Sequence, residues 1–187
     1  MKLAKKNGDN PHFWYSPDYV NQVVAQMEKD LIAKQPGSAT AFKQQYSQLQ
    51  QALAGYQDHI AEMKRQYRGV QVAATEDIFV YLADAAGLKL ISPRSFMKAV
   101  AGSTDPPVAS IVQFQNQLKS GLVKVLVYNK QTATPMTNRL KKLAVDQKIP
   151  VVGITETLQP PDAQFQDWMG SQVTALQNAL NSGTTSR

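Results

Sequence analysis

One histidine and two glutamates are the residues of this chain best placed to do chemistry. His12 lies within "NGDNPHFWYSP" (residues 7–17), ahead of the first helical pattern, and the sequence contains only one other histidine, His59. Glu76 and Glu156 each follow a threonine at the end of an apolar run, "VAAT" and "VVGIT" respectively. Two carboxylates that follow separate strands could form a metal site with oxygen ligands, or an acid–base pair.

Each of these residues also has a purely structural interpretation. Glu76 and Glu156 could stand in the first turn of a following helix, where the helix dipole stabilises acids. His12 could be a loop histidine packed by the aromatic residues that follow it, and we interpret His59, inside a helical pattern, as solvent-exposed. The threonine–glutamate pair recurs after both strands, and Glu156 precedes the loop "TLQPPD" instead of a helix start. These two points favour a functional role for the acids.

Two helical patterns come before the first strand. Residues 16–35 predict a helix with Ser16 as N-cap, Pro17 at position N1 and an apolar stripe over 19–31. Over residues 39–67 apolar side chains recur at spacings of three and four, which predicts one helix about 40 Å long. Its narrow seam fits either a coiled-coil dimer or a strut across a globular body. The aromatic residues in the seam and the lack of regular charge pairs favour the strut.

From residue 70 onward, strand patterns alternate with helical ones. Four apolar runs predict strands, at residues 70–75, 88–92, 123–129 and 149–155. Such runs between helices are typical of a parallel sheet covered on both faces, so the predicted fold class is α/β with a parallel four-stranded sheet flanked by helices. The last helix is predicted at 163–180, and the tail "NSGTTSR" is predicted to be disordered.

The predicted sheet would gather three polar side chains at one edge. In open parallel sheets ligands bind at the carboxyl ends of the strands. Glu76, Asn129 and Glu156 all stand at such ends. We therefore expect the functional site there.

Several function classes are disfavoured by composition and motifs. The chain has no cysteine, which excludes thiolate metal sites, disulfides and cysteine nucleophiles. The net charge of +6 makes nucleic acid or an anionic membrane a possible partner. The basic stretch at 138–148, however, lies in an amphipathic helical pattern without aromatic residues, and we interpret it as a solvated helix face. Phosphate-binding loops and serine-nucleophile elbows are missing, so we do not expect an enzyme. The basic start "MKLAKKNGDN" lacks the apolar core of a signal peptide, and no apolar run could cross a bilayer.

The ordered set of motifs resembles a known family. "NPHFWYSPDYV", the long seam helix, "VAATEDIFVYLADAAGL", "STDPPVASIVQFQNQLKSGLVKVLVYNKQT", "IPVVGITETL" and "FQDWM" follow one another as in the zinc and manganese solute-binding proteins of ABC transporters, which include zinc-uptake and adhesin-like lipoproteins. The resemblance runs from Asn10 to Leu180. It implies two lobes joined by a long helix, with a metal ion between them.

The resemblance also implies a division of the chain and a ligand set. Residues 1–37 would be the remnant of a first lobe, 38–67 the inter-lobe helix and 68–187 the second, α/β lobe, so we expect a shortened receptor without the first lobe's additional histidine ligand. The family's ligand positions fall on His12, Glu76 and Glu156. An imidazole and two carboxylates suit Zn²⁺ or Mn²⁺. Glu76 stands where other members carry histidine, which makes the ligand set harder and slightly favours manganese.

The function implied is capture of a divalent metal outside the cytoplasm, at the cell surface or in the periplasm, and its delivery to an ABC-transporter permease. No nucleic acid partner is expected. The alternative is a module for oligomerisation or adhesion with a vestigial metal site. The apolar stripe of residues 19–31 is expected to pack either on a second copy of the chain, as a homodimer, or on the seam helix.

Overall fold

Helices and strands alternate along residues 10–185, the part of the chain that the computed structural model describes. The α-helices of this part are α1 (Pro17–Lys34), α2 (Ala39–Gln66), α3 (Val80–Ala85), α4 (Arg94–Ala101), α5 (Val108–Lys119), α6 (Pro135–Asp146) and α7 (Phe165–Thr185). The strands are β1 (Gln71–Ala74), β2 (Lys89–Leu90), β3 (Leu126–Asn129) and β4 (Val151–Ile154). Short 3₁₀ turns occur at Phe13–Tyr15, Pro36–Ser38 and Asp77–Phe79. Among the described helices, none has the length and apolar character needed to cross a membrane.

The four strands form one parallel sheet in the order β2-β1-β3-β4. Successive side chains of a strand point to opposite faces. Val72 and Ala74 accordingly join an apolar cluster with residues of α2 and α7, whereas Ala73 joins a second cluster with Phe96 and Phe114. Helices thus cover both faces, and the predicted α/β class with a parallel four-stranded sheet is confirmed.

The first two helices have the predicted bounds within about a residue. Ser16 caps α1 by accepting a hydrogen bond from the backbone N–H of Tyr19 (3.4 Å), and Pro17 occupies N1. Helix α2 spans 28 residues and packs against both α1 and α7. Four residues in its second half are buried: Leu53, Tyr56, Ile60 and Met63. Because helices of the same chain cover this seam, α2 is a strut across the body, as predicted.

The apolar stripe of α1 packs on α2, the second of the two predicted arrangements. The cover is incomplete. Val23, Met27 and Leu31 keep 40%, 56% and 43% of their surface exposed. These side chains line grooves that α1 shares with Leu49 and neighbouring residues of α2, so the apolar stripe stays partly open to solvent along the contact between the two helices.

The prediction of a disordered tail is wrong for residues 181–185. Helix α7 continues through Thr185, while the last two residues lie outside the described part. Leu176 and Leu180 are buried and hold the helix on the body. A Cβ at Gly183 would stand 2.7 Å from the carbonyl oxygen of Lys124, so only glycine lets the helix end approach this backbone. The polar composition of the tail suggested disorder, but this close packing decides otherwise.

Candidate metal site

The segment that carries His12 is held in a tight turn. Backbone hydrogen bonds run from Phe13 N to Pro11 O (2.8 Å) and from Tyr15 N to His12 O (3.1 Å). Tyr15 is fully buried, and His12 is only 5% exposed. The indole of Trp14 meets the imidazole edge-on, with ring centroids 5.3 Å apart. The histidine thus lies in a buried, hydrogen-bonded turn that is packed by its aromatic neighbours.

Asn10 orients the imidazole of His12. Its side-chain oxygen lies 2.6 Å from Nδ1 and accepts a hydrogen bond from the backbone N–H of His12 (3.0 Å). Its amide nitrogen donates to the carbonyl oxygen of Asp77 (2.6 Å), which defines which end of the amide faces the ring. Nδ1 therefore carries the proton in the neutral ring, and Nε2 keeps its lone pair. Nε2 lies 3.5 Å from Oε1 of Glu156.

Glu76 is a buried carboxylate at the carboxyl end of β1. The residue is 3% exposed and has extended backbone geometry (φ −151°) just before the 3₁₀ turn. The hydroxyl of Thr132 and the amide of Asn129 donate to its carboxylate. Burial raises the pKa of Glu76, these hydrogen bonds oppose the rise, and the nearby carboxylate of Glu156 adds to it. A bound cation would offset both the cost of burying the charge of Glu76 and its repulsion from Glu156.

Glu156 approaches the same point from β4. Its Oε1 accepts a hydrogen bond from the amide of Asn129 (2.8 Å), and its backbone N–H donates to the side-chain oxygen of Gln131 (2.6 Å). The side chain of Glu156 is 35% exposed, so this carboxylate borders solvent. Asn129, itself 2% exposed, is the last residue of β3 and bridges the acids that follow β1 and β4. The strand-end residues expected to meet at one edge do meet there.

Asp77 is a fourth candidate ligand that the sequence did not single out. Its Oδ1 lies 3.5 Å from His12 Nδ1 and is buried without a hydrogen-bond partner among the described residues. Single ligand atoms from His12, Glu76 and Asp77 lie within 4.8 Å of one another. Burial raises the pKa of Asp77, and the neighbouring His12 opposes this rise. Asp77 nevertheless faces Nδ1, which Asn10 occupies, whereas Glu156 faces the free Nε2.

Of the predicted ligands, His12 and Glu76 thus share one compact group with Asp77, Glu156 borders this group through its 3.5 Å approach to His12, and the second histidine lies apart. His59 is exposed on α2, as predicted. Three partners escaped the sequence interpretation: Asn10, Asp77 and Thr132. Asn10 stands two residues before His12 and Asp77 directly follows Glu76, so proximity to a candidate ligand was a usable signal for both. Thr132 lies in a loop and had no such signal.

Solved structures with the same fold are similar to this chain at low sequence identity. A manganese-bound periplasmic metal-binding protein from Candidatus Liberibacter asiaticus (a serine-to-alanine variant) matches with a TM-score of 0.70 at 17% identity, covering 96% of this chain and 67% of its own. The cadmium-bound form from the same organism gives 0.67 at 18% identity, with 91% and 64% coverage. The Ni²⁺ complex of the solute-binding protein FpvC from P. aeruginosa gives 0.69 at 14% identity, with 92% and 63% coverage.

This chain spans about two thirds of the length of those structures, from 63% to 67%. Curated protein sequences gave no match. One family model covers nearly the whole chain, however: "Zinc-uptake complex component A periplasmic" matches residues 2–179. The parallel four-stranded fold agrees with that match. The chain belongs to this zinc-uptake component A family.

Proposed function

We propose that this protein binds a divalent transition metal ion as cargo through Nε2 of His12 and the carboxylates of Glu76 and Glu156. One observation carries the proposal: two carboxylates meet an imidazole whose Nδ1 is already engaged by Asn10, so that Nε2 is the free ligand atom. A buried carboxylate such as Glu76, with the second carboxylate of Glu156 nearby, is costly unless a cation compensates its charge.

Zn²⁺ and Mn²⁺ are the metals we propose. Zn²⁺ accepts imidazole and carboxylate ligands readily, while two carboxylates to one imidazole make a set hard enough for Mn²⁺. The similar solved structures are described as complexes of Mn, Cd and Ni²⁺, which supports a divalent cation without selecting one. Buried Glu76, in place of a neutral ligand, favours manganese slightly.

The family match supports a role in transport. We propose that the protein works outside the cytoplasm as the solute-binding component of an ABC transporter and hands the metal to a membrane permease. Within the described part of the chain, residues up to 37 would belong to a first lobe, 38–67 to the connecting helix and 68 onward to the second lobe. His12 then comes from the first part, and both glutamates come from the second.

The test is metal analysis followed by calorimetry with Zn²⁺ and Mn²⁺ on protein stripped by a chelator. Glu76→Ala and Glu156→Ala should each weaken binding by more than about a hundredfold, beyond the range for outer-shell partners. His12→Ala should do the same. His59→Ala is the matched control, because His59 is exposed on α2 and should leave the affinity unchanged. Absence of binding by the unaltered protein would refute the proposal.

A second candidate function is oligomerisation or adhesion. The exposed apolar residues of α1, Val23, Met27 and Leu31, favour it, because such stripes usually mark contact surfaces. Light scattering after size exclusion, with and without Met27→Lys, distinguishes the two. Self-association that Met27→Lys abolishes, in a protein that binds no metal, would support this candidate over transport.

A further inference from the structure

The hydroxyl of Tyr15 lies at the centre of a buried polar network beneath Glu156. It stands 2.7 Å from the carbonyl oxygen of Thr155 and 2.9 Å from Oε1 of Gln172. Both neighbours are acceptors, and burial raises the pKa of Tyr15, so the neutral hydroxyl donates its single proton to one of them at a time. The same Oε1 of Gln172 accepts the backbone N–H of Thr155 (2.8 Å).

The side chain of Thr155 completes the network. Its hydroxyl donates to the carbonyl oxygen of Thr157 (2.9 Å) and accepts a hydrogen bond from the indole N–H of Trp168 (2.8 Å). Both the backbone and the side chain of Thr155 are therefore hydrogen-bonded. Tyr15, together with Trp168 and Gln172 of α7, thus fixes the turn that carries Glu156. Thr155 and Gln172 are only 6% and 7% exposed, so water does not replace these bonds readily.

Tyr15 thereby connects two candidate ligands that belong to separate parts of the chain. It stands in the same 3₁₀ turn that follows His12, where its backbone N–H donates to His12 O (3.1 Å). Its hydroxyl holds the residue directly before Glu156. Hydrogen bonds of Tyr15 thus join the turn that carries His12 to the residue before Glu156, and Nε2 of His12 and Oε1 of Glu156 lie 3.5 Å apart.

We infer that Tyr15 is a positioning residue of the metal site, which sets the separation of His12 and Glu156 through Thr155 and Gln172. The inference rests on the proposed function, because it concerns how well the two ligands are pre-arranged for a cation. Metal affinity depends on such outer partners, whose loss commonly costs 10–100-fold. Without the hydroxyl, the turn at 155–157 keeps its bonds to α7 but loses its bond to the segment that carries His12.

The experiment measures Mn²⁺ and Zn²⁺ affinity of Tyr15→Phe by calorimetry. Because Tyr15 does not touch the metal, we expect the lower end of that range, about a tenfold rise in Kd. Tyr67→Phe is the matched control: Tyr67 is also buried and its hydroxyl also bonds a residue of α7, Asn181, but away from the site. Both variants should lose similar stability in thermal unfolding, and only Tyr15→Phe should lose metal affinity.

A double-mutant cycle with Glu156→Gln separates positioning from a general loss of structure. If Tyr15 acts through Glu156, its removal should change Kd less than twofold in the Glu156→Gln background. Gln172→Leu, a second variant, should weaken metal binding in the same direction. An unchanged Kd in Tyr15→Phe, or an equal loss in both backgrounds, overturns the inference while metal binding stands. Absence of binding by the unaltered protein overturns the metal site itself and this inference with it.

Discussion

Replacing Asn129 with alanine should destabilise the protein, because Asn129 is the donor that two facing carboxylates share. Its amide donates to Glu156 (2.8 Å) and to Glu76, and its side-chain oxygen accepts the backbone N–H of Gln131 (2.9 Å). A hydrogen bond to a charged group contributes about 1.5–3 kcal/mol and a neutral one about 1 kcal/mol. Since the side chain of Glu156 is 35% exposed, water will replace part of the hydrogen bonding that Glu156 loses when Asn129 is removed. We expect the unfolding free energy to fall by about 2–3 kcal/mol at neutral pH.

The assay is urea denaturation in the presence of a chelator at pH 7 and pH 5, with thermal melts in parallel. For a chain of this size the expected loss lowers Tm by about 4–12 °C. At pH 5 the loss of unfolding free energy should be smaller than at pH 7. Because the pKa of Glu76 is raised, a larger fraction of this carboxyl is protonated at pH 5, and a neutral carboxyl gains less from the amide donor than a carboxylate does. Asn138→Ala, an exposed asparagine on α6, is the control and should cost less than about 0.5 kcal/mol. A loss below about 0.5 kcal/mol in Asn129→Ala, or one that is the same at both pH values, would refute this reasoning.

Three further predictions concern the acids and the strut. The folded-state pKa of Glu76 is raised, so the stability that this carboxyl contributes is present below its ordinary pKa of 4.5 and is lost as pH rises through the raised pKa. Glu76→Gln should therefore raise Tm at pH 8 but not at pH 4. Calorimetric melts in the presence of a chelator measure this difference. Asp77→Asn should change the calorimetric Kd for Mn²⁺ by less than about tenfold, whereas Glu156→Gln should change it more, because Asp77 faces the ring nitrogen that is already engaged. Equal effects would assign the metal to the other face of the imidazole. Leu53→Ala should lower the unfolding free energy by about 2–5 kcal/mol in urea, and Leu49→Ala, 40% exposed, should cost less than about 1 kcal/mol.

Much of the fold could be predicted because its signals are local. Ser16 and Pro17 mark the start of α1, and the spacing of apolar residues gives the bounds of α2 within a residue. Boundaries were less well predicted where tertiary contacts decide them. Strand β2 pairs over only two residues, Lys89–Leu90, and α7 extends past its predicted end because Gly183 packs on the backbone of Lys124.

The candidate site divides in the same way. His12, Glu76 and Glu156 were chosen from residue type and from position after a strand, and whether they bind metal stays a prediction. The engagement of Nδ1 by Asn10 could not be predicted, because it requires a backbone turn that returns the asparagine to the ring and a bond to Asp77 across the fold. The donor role of Thr132 depends on a loop conformation that no periodicity encodes.

By itself the sequence determined the alternation of strands and helices, the long helix α2 and the polar residues at three strand ends, because each follows from spacing along one segment. Only the tertiary structure decided which of these residues meet. Parallel strands joined by helices bring Glu76 and Glu156 to one edge, and the packing of Tyr15 under Thr155 brings the segment with His12 beside them. Contacts of this kind join residues far apart in the chain, and their geometry is set by the packing of the whole core and not by any local pattern.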